Sequence, residues 1–190
     1  MKALSFRQPW GWAITDVEPA WIAKRIENRV WRQLKNGRLP IPLNTDFAIH
    51  VSASSPRYED VDGVMSSLDI DTLPPPAVLA SAFIGTAQIA MVLRCKEEQR
   101  NLSKISFDLL LEKGGPWEID PQDQEKFLYD LKLPLSTDQR HNQLRRWWLG
   151  PYAFVLNNVK KLREPILEVK GALNFWDVNP EHIVQIQERL

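Results

Sequence analysis

The chain has 190 residues, of which 44% are apolar and 25% charged, with zero formal net charge and one cysteine. That is enough apolar chain for one well-cored domain with an embellishment, and no apolar run approaches the ~20 residues of a membrane span. The lone Cys95 excludes an internal disulfide framework and a multi-cysteine zinc site, and the opening MKALSFRQPWG lacks an apolar leader followed by a small-residue cleavage site, so a cytoplasmic protein is expected.

Charge is distributed unevenly. Residues 1–45 carry eight basic side chains against three acidic ones, whereas residues 54–76 carry one basic against five acidic. This asymmetry suits a local anion-binding surface on a neutral protein, and equally a solvated surface paired between segments.

In chain order, Lys2 to Phe6 reads as a first strand. Pro9 suits the start of a helix running to about Thr15, with Gln8 or Arg7 at its mouth and backbone donors there that favour an anion. Val17-Glu18-Pro19 interrupts it, and a short turn follows through Ile22. KRIENRVWR alternates as a strand, placing Arg25, Glu27, Arg29 and Trp31 on one face and Ile26, Asn28 and Val30 on the other. LKNGRLPIPLN is a turn-rich crossing, and Phe47 to Ser52 is a buried strand containing His50. Residues 54–76 read as an acidic surface loop with one helical turn. FIGTAQIAMVL, residues 83–93, is a core strand whose Gly85 marks a bulge or a close backbone approach.

From Arg94 to Leu149 the pattern turns helical. LSKISFDLLLEKG predicts a helix ending at Gly114-Gly115, and PQDQEKFLYDLKL a second, with Asp120 as cap and Pro121 at its first position. A third, from about Thr137, carries Trp147 and Trp148, which point roughly 100° apart on a helix, so that one of them faces the core. Strands return in YAFVLNN, LREPILEV and KGALNFWDV, with turns at Asn157-Asn158 and Lys170-Gly171. A helix from Pro180 to Leu190, capped by Asn179, presents Ile183, Ile186 and Leu190 to the core. The three histidines, His50, His141 and His182, have no metal-ligand spacing, and neither metal nor cofactor is expected.

Three stretches together carry a resemblance. QPW opens a helix that leads to KxxExR at Lys24, Glu27 and Arg29, with Trp31 two residues on; FAIHVSA spans 47–53; and GPYAFVLNNVKKLREPILEVKGALNFWDV spans 150–178. In this order they resemble the ASCH domain, a family similar to the PUA fold. The resemblance implies an α+β chain: a PUA-like mixed β-barrel with flanking helices and a helical insertion. It would form one domain over 1–190, with the barrel core in about 1–93 and 150–178, the insertion in about 94–149 and a C-terminal helix in about 180–190. The approach to Lys24, EPAWIA, lacks the glycine turn usual in the family.

The resemblance implies RNA or a modified nucleotide as ligand. Basic side chains neutralise phosphates and indoles stack on bases, and the chain has eight tryptophans. Gln8, Trp10, Lys24, Glu27, Asn28, Arg29, Trp31 and Tyr152 are the expected nucleic-acid-binding residues. A second reading is a nucleoside- or RNA-processing hydrolase, amidohydrolase or ribonuclease, with Lys24 and Glu27 as catalytic residues. The family's amidohydrolases carry threonine where this chain has Glu27, and a carboxylate beside the lysine favours the protonated amine, the wrong state for a general base. A third reading is a protein-interaction adaptor working through the helical insertion.

Overall fold

A computed structural model describes residues 1–29, 39–95, 107–111, 117–118, 139, 142–143, 146–148 and 152–190. The chain divides into two compact units, one made of Met1–Lys24, Asp46–Gln88 and Asn158–Leu190, the other of Arg25–Thr45 and Ile89–Asn157.

In the first unit, β1 (Lys2–Phe6) pairs in parallel with β3 (Phe47–Val51), its residues aligned from Lys2 opposite Phe47 to Phe6 opposite Val51. On its other edge β1 runs antiparallel to β8 (Phe175–Asp177). All five residues of β3 are buried, which explains why FAIHV is a continuous apolar run rather than an alternating one. Next to β3 lies β4 (Ala82–Cys95), antiparallel, with a bulge at Ile49/His50. Gly85 is the residue opposite Ile49, and a Cβ there would stand 2.5 Å from the Lys160 carbonyl oxygen and 2.8 Å from the Thr15 methyl. The expected bulge and the expected close approach therefore both occur. Parallel and antiparallel pairs coexist, so the chain is α+β with a mixed sheet, consistent with a barrel-like fold.

Two features of this unit differ from expectation. Residues 54–76 hold an eleven-residue helix, α2 (Tyr58–Leu68), followed by a 3-10 turn at Pro75–Val78. Val64 and Leu68, four apart, are buried, and about 1.5–3 kcal/mol for each such side chain is enough to hold a helix rich in acidic residues. β7 (Tyr152–Ile166) is a single strand of fifteen residues that passes through the expected turn at Asn157-Asn158. Asn158 takes φ 46°, a left-handed conformation that asparagine tolerates, and the strand continues beyond it.

The C-terminal helix α3 (Pro180–Arg189) forms with the expected cap, but not all of its apolar positions reach the core. The Asn179 side chain accepts the His182 N–H at 3.2 Å, Ile186 is fully buried and Ile183 packs on the same cluster, while Leu190 stays exposed. The cluster they join comprises Ala3, Ala48, Phe83, Leu162, Ile166, Val169 and Val178.

In the second unit, β2 (Ile26–Glu27) pairs antiparallel with β7, Ile26 opposite Val155 and Glu27 opposite Phe154. The far end of β4 pairs with β5 (Phe107–Leu111), and β5 with β6 (Trp117–Glu118). The helix expected over LSKISFDLLLEKG is thus a strand at Phe107–Leu111. β4 runs on to Cys95, and its edge N–H and C=O groups from Val92 onward take partners from this segment, which outweighs leucine's modest helix propensity. The helix expected after Asp120 lies outside the described residues. Gln139, Asn142, Gln143, Arg146 and Trp147 are helical, as expected from Thr137 onward. Trp147 is fully buried and Trp148 half-buried, the division that their 100° separation dictates.

His50 is buried within the first unit, and the groups around it assign its proton. Its Nε2 lies 3.0 Å from the Val169 carbonyl, which only accepts, so Nε2 carries the hydrogen. Its Nδ1 lies 3.0 Å from Ser5 Oγ, which also contacts the Ala172 carbonyl at 2.9 Å and accepts the Trp176 indole N–H at 3.1 Å. Gly171 covers the pair, since a Cβ there would come within 2.3 Å of the imidazole. Burial lowers the His50 pKa below its ordinary 6.5, against an opposing hydrogen bond to Val169. As pH falls below about 6.5 the unfolded chain takes up this proton before the folded one, so stability declines until the folded pKa is passed. Urea midpoints measured from pH 7.5 to 5 are expected to fall, and His50→Gln is expected to flatten that slope.

Candidate functional site

The QPW segment and Lys24 lie inside the first unit. Helix α1 (Trp10–Thr15) has only six residues, and its opening donors have local partners. The Trp10 N–H bonds to the Arg7 carbonyl, and the Trp12 N–H to Gln8 Oε1 at 3.0 Å. Gln8 Nε2 donates to the Pro76 carbonyl at 3.2 Å, and the side chain is 1% exposed. Gln8 is therefore a brace between α1 and the 3-10 turn, and it takes up a helix-mouth donor that the sequence suggested for an anion.

Trp10 is half-buried, with its edge anchored. Its Nε1–H donates to Asp60 Oδ1 at 2.8 Å, and Arg7 donates to Asp60 Oδ2 at 2.8 Å. Burial opposes ionisation of Asp60, but the hydrogen bonds from Arg7 and Trp10, with the Arg7 charge and an Arg57 backbone bond, hold its carboxyl below the usual carboxylate range. Gly63, one turn along α2, gives the ring room, since a Cβ there would lie 3.2 Å from Trp10 Cη2.

Lys24 is 1% exposed. Its backbone N–H bonds to the Ala13 carbonyl of α1 at 2.7 Å, which sets where the side chain leaves the chain. Its ammonium lies 5.6 Å from the centroid of the Trp10 ring, within reach of the indole's negative π face. Trp10 and Lys24 are thus brought together, as expected for two side chains flanking one site. A lysine this buried presents no ammonium to a passing phosphate backbone.

The second unit holds the rest of the motif. Glu27 is 6% exposed, and its Oε1 accepts from Arg29 Nε at 2.7 Å, so the two residues share one side of the chain as the alternation requires. Asn28 Nδ2 donates to the Trp147 carbonyl at 2.8 Å, and the Arg25 N–H to Gln143 Oε1 at 3.0 Å. These bonds tie Arg25 and Asn28, on either side of β2, to Gln143 and Trp147. Tyr152 is half-buried, two residues before Phe154, the strand partner of Glu27. Trp31 lies outside the described residues.

Asp60 is the residue not expected at the site; Arg7, expected with Gln8 at the helix mouth, is engaged with its carboxylate instead. The helical signal was present in Val61, Val64, Met65 and Leu68, spaced three and four apart within an acidic run. Among the described residues no group of three His, Cys, Asp or Glu side chains is placed to hold a metal, and no helix is long and apolar enough to cross a membrane. Known family models and characterised proteins give no match to this chain.

Proposed function

We propose that this chain binds RNA or a modified nucleotide, by the ASCH-type, PUA-like reading of its QPW and KxxExR motifs, and that it takes a single base rather than tracking a phosphate backbone. The observation that supports this reading is the pairing of a buried lysine with an anchored indole: Lys24 is 1% exposed, with its ammonium 5.6 Å from the centre of Trp10. A held aromatic ring offers a stacking surface with little conformational entropy left to lose on binding, and base stacking on such a ring is worth about 1–3 kcal/mol. Hydrolysis by Lys24 and Glu27 is the weaker reading, because an ion pair with Arg29 already engages the Glu27 carboxylate.

Titration of tryptophan fluorescence with nucleosides and with a short mixed-sequence single-stranded RNA, at low and at physiological salt, tests this. Saturable binding that changes little with salt and falls at least tenfold in Lys24→Ala is expected. A steep salt dependence would replace the base pocket with a phosphate track, and no binding by the parent protein at either salt would end the nucleotide reading.

A further inference from the structure

We infer that Asp60, held by Arg7, is a positioning residue for ligand binding: it fixes the indole of Trp10 by its edge and so sets the ring face beside which the Lys24 ammonium lies. This rests on the nucleotide-binding reading above. Three observations carry it. The two carboxylate oxygens of Asp60 divide their work, Oδ1 accepting the indole N–H and Oδ2 the Arg7 guanidinium, each at 2.8 Å. The indole edge lies against Gly63, where a larger residue would crowd it. Lys24, tied to α1 through its own backbone, has its ammonium 5.6 Å from the centre of that same ring.

The arrangement has a directional logic. An indole has two side-chain torsions, and its packing alone leaves rotation about them restrained but not fixed. A charge-assisted hydrogen bond to the only polar atom of the ring fixes its azimuth. The carboxylate itself is held because Arg7 grips the second oxygen, so the indole hangs from a fixed point rather than from a free side chain. The acidic segment of the chain thereby gains a specific task. α2 delivers Asp60 and Gly63, one turn apart, to the edge of Trp10, and the remaining carboxylates Glu59 and Asp62 flank Asp60 on its own helix.

The test separates the hydrogen bond from the charge. Asp60→Ala removes both; Asp60→Asn keeps an oxygen for the indole N–H and removes the charge that faces Arg7. The readouts are the Trp10 indole N–H resonance, assigned by its disappearance in Trp10→Phe, and affinity for the nucleosides and RNA used above. In Asp60→Ala the resonance is expected to move to the position of a water-bonded indole, with binding weakened about three- to tenfold, the effect of freeing one side chain that must be ordered again on binding. Asp60→Asn, whose one oxygen can still accept the indole N–H while its amide cannot accept from Arg7, is expected to return the resonance most of the way and the affinity in part. An unmoved resonance in Asp60→Ala, or affinity unchanged in that variant while the parent binds, would overturn the inference alone. So would Asp60→Asn with its resonance restored and its affinity still lost, which would assign the effect to charge. Failure of the parent protein to bind any of the probes would remove the binding reading itself, and the positioning role with it.

Discussion

Replacing Phe83 with alanine is expected to cost about 4 kcal/mol of folding stability, read as a lower urea midpoint with an unchanged slope. Phe83 is fully buried in the first unit, and three rings lean on it. Trp176 stacks at 5.7 Å between centroids, while His50 and His182 meet it edge-on at 5.6 Å each. These partners come from β3 and from the consecutive elements β8 and α3 at the other end of the chain, so one side chain joins segments that are distant in sequence. Truncation leaves a cavity that none of them can close, because Trp176 is tied to Ser5 through its indole N–H and His50 to Val169 through its Nε2. Phe83→Leu keeps most of the volume and is expected to cost about 1.5 kcal/mol or less. If the alanine variant lost no more than the leucine variant, the cluster would be able to relax into the gap, and its ring contacts would carry little of the stability.

The parts of this architecture that were legible in the sequence are those set by local chemistry. FAIHV reads as a strand because a short, mainly apolar run between turn signals has few other solutions, and Asn179-Pro180 announces a helix start through its cap and its fixed φ. Gly85 could be read as a point of close approach because a strand interior otherwise disfavours glycine. The errors fall where a distant partner decides. Phe107–Leu111 has the composition of a helix and becomes a strand because β4 extends far enough to offer an open edge. Asn157-Asn158 has the composition of a turn, yet β7 continues through it, one left-handed residue accommodating the change in direction. α2 was hidden for a third reason. Its acidic residues argued for a loop, and only Val64 and Leu68, finding a surface to cover, make it a helix.

For the candidate site, the sequence placed residues on shared sides of the chain better than it showed what each one touches. Gln8 and Trp10 were expected to meet a ligand directly. Gln8 instead has both amide atoms engaged in holding α1 and the turn at Pro75–Val78. Trp10 keeps its ring beside Lys24 but has its N–H committed to Asp60. In the second unit Glu27 and Arg29 form the ion pair that adjacent opposite charges on one strand face invite, and Asn28, out of phase with them, bonds elsewhere. The alternation told which residues share a side. It could not tell that a carboxylate 50 residues beyond the first tryptophan would hold it, since no local rule links α1 to α2.

Gly85→Ala is expected to be nearly as damaging as the loss of Phe83, and for a reason that reaches the site. The added Cβ would meet the Lys160 carbonyl oxygen at 2.5 Å and the Thr15 methyl at 2.8 Å, both closer than real atoms come. The first obstacle is backbone of β7 and cannot rotate away; the second is the last residue of α1. Relief requires β4 to separate from one or both, with a cost of about 3 kcal/mol, at the upper end of what overpacking a core produces. α1 would carry the disturbance to both ends of the expected site, because Trp10 is its first residue and its Ala13 carbonyl anchors Lys24. Gly85→Ala should therefore lower the urea midpoint and also shift the Trp10 indole N–H resonance in the protein that remains folded. Thr15→Ser added to it removes only the methyl contact, and is expected to recover less than about 1 kcal/mol, the two residues being coupled but the carbonyl still in place. Full recovery in the double variant would mean that the α1 methyl, rather than the β7 backbone, is what the glycine accommodates. In that case the approach of α1 to the sheet, and with it the placement of Lys24 beside Trp10, is the constraint that a glycine at position 85 serves.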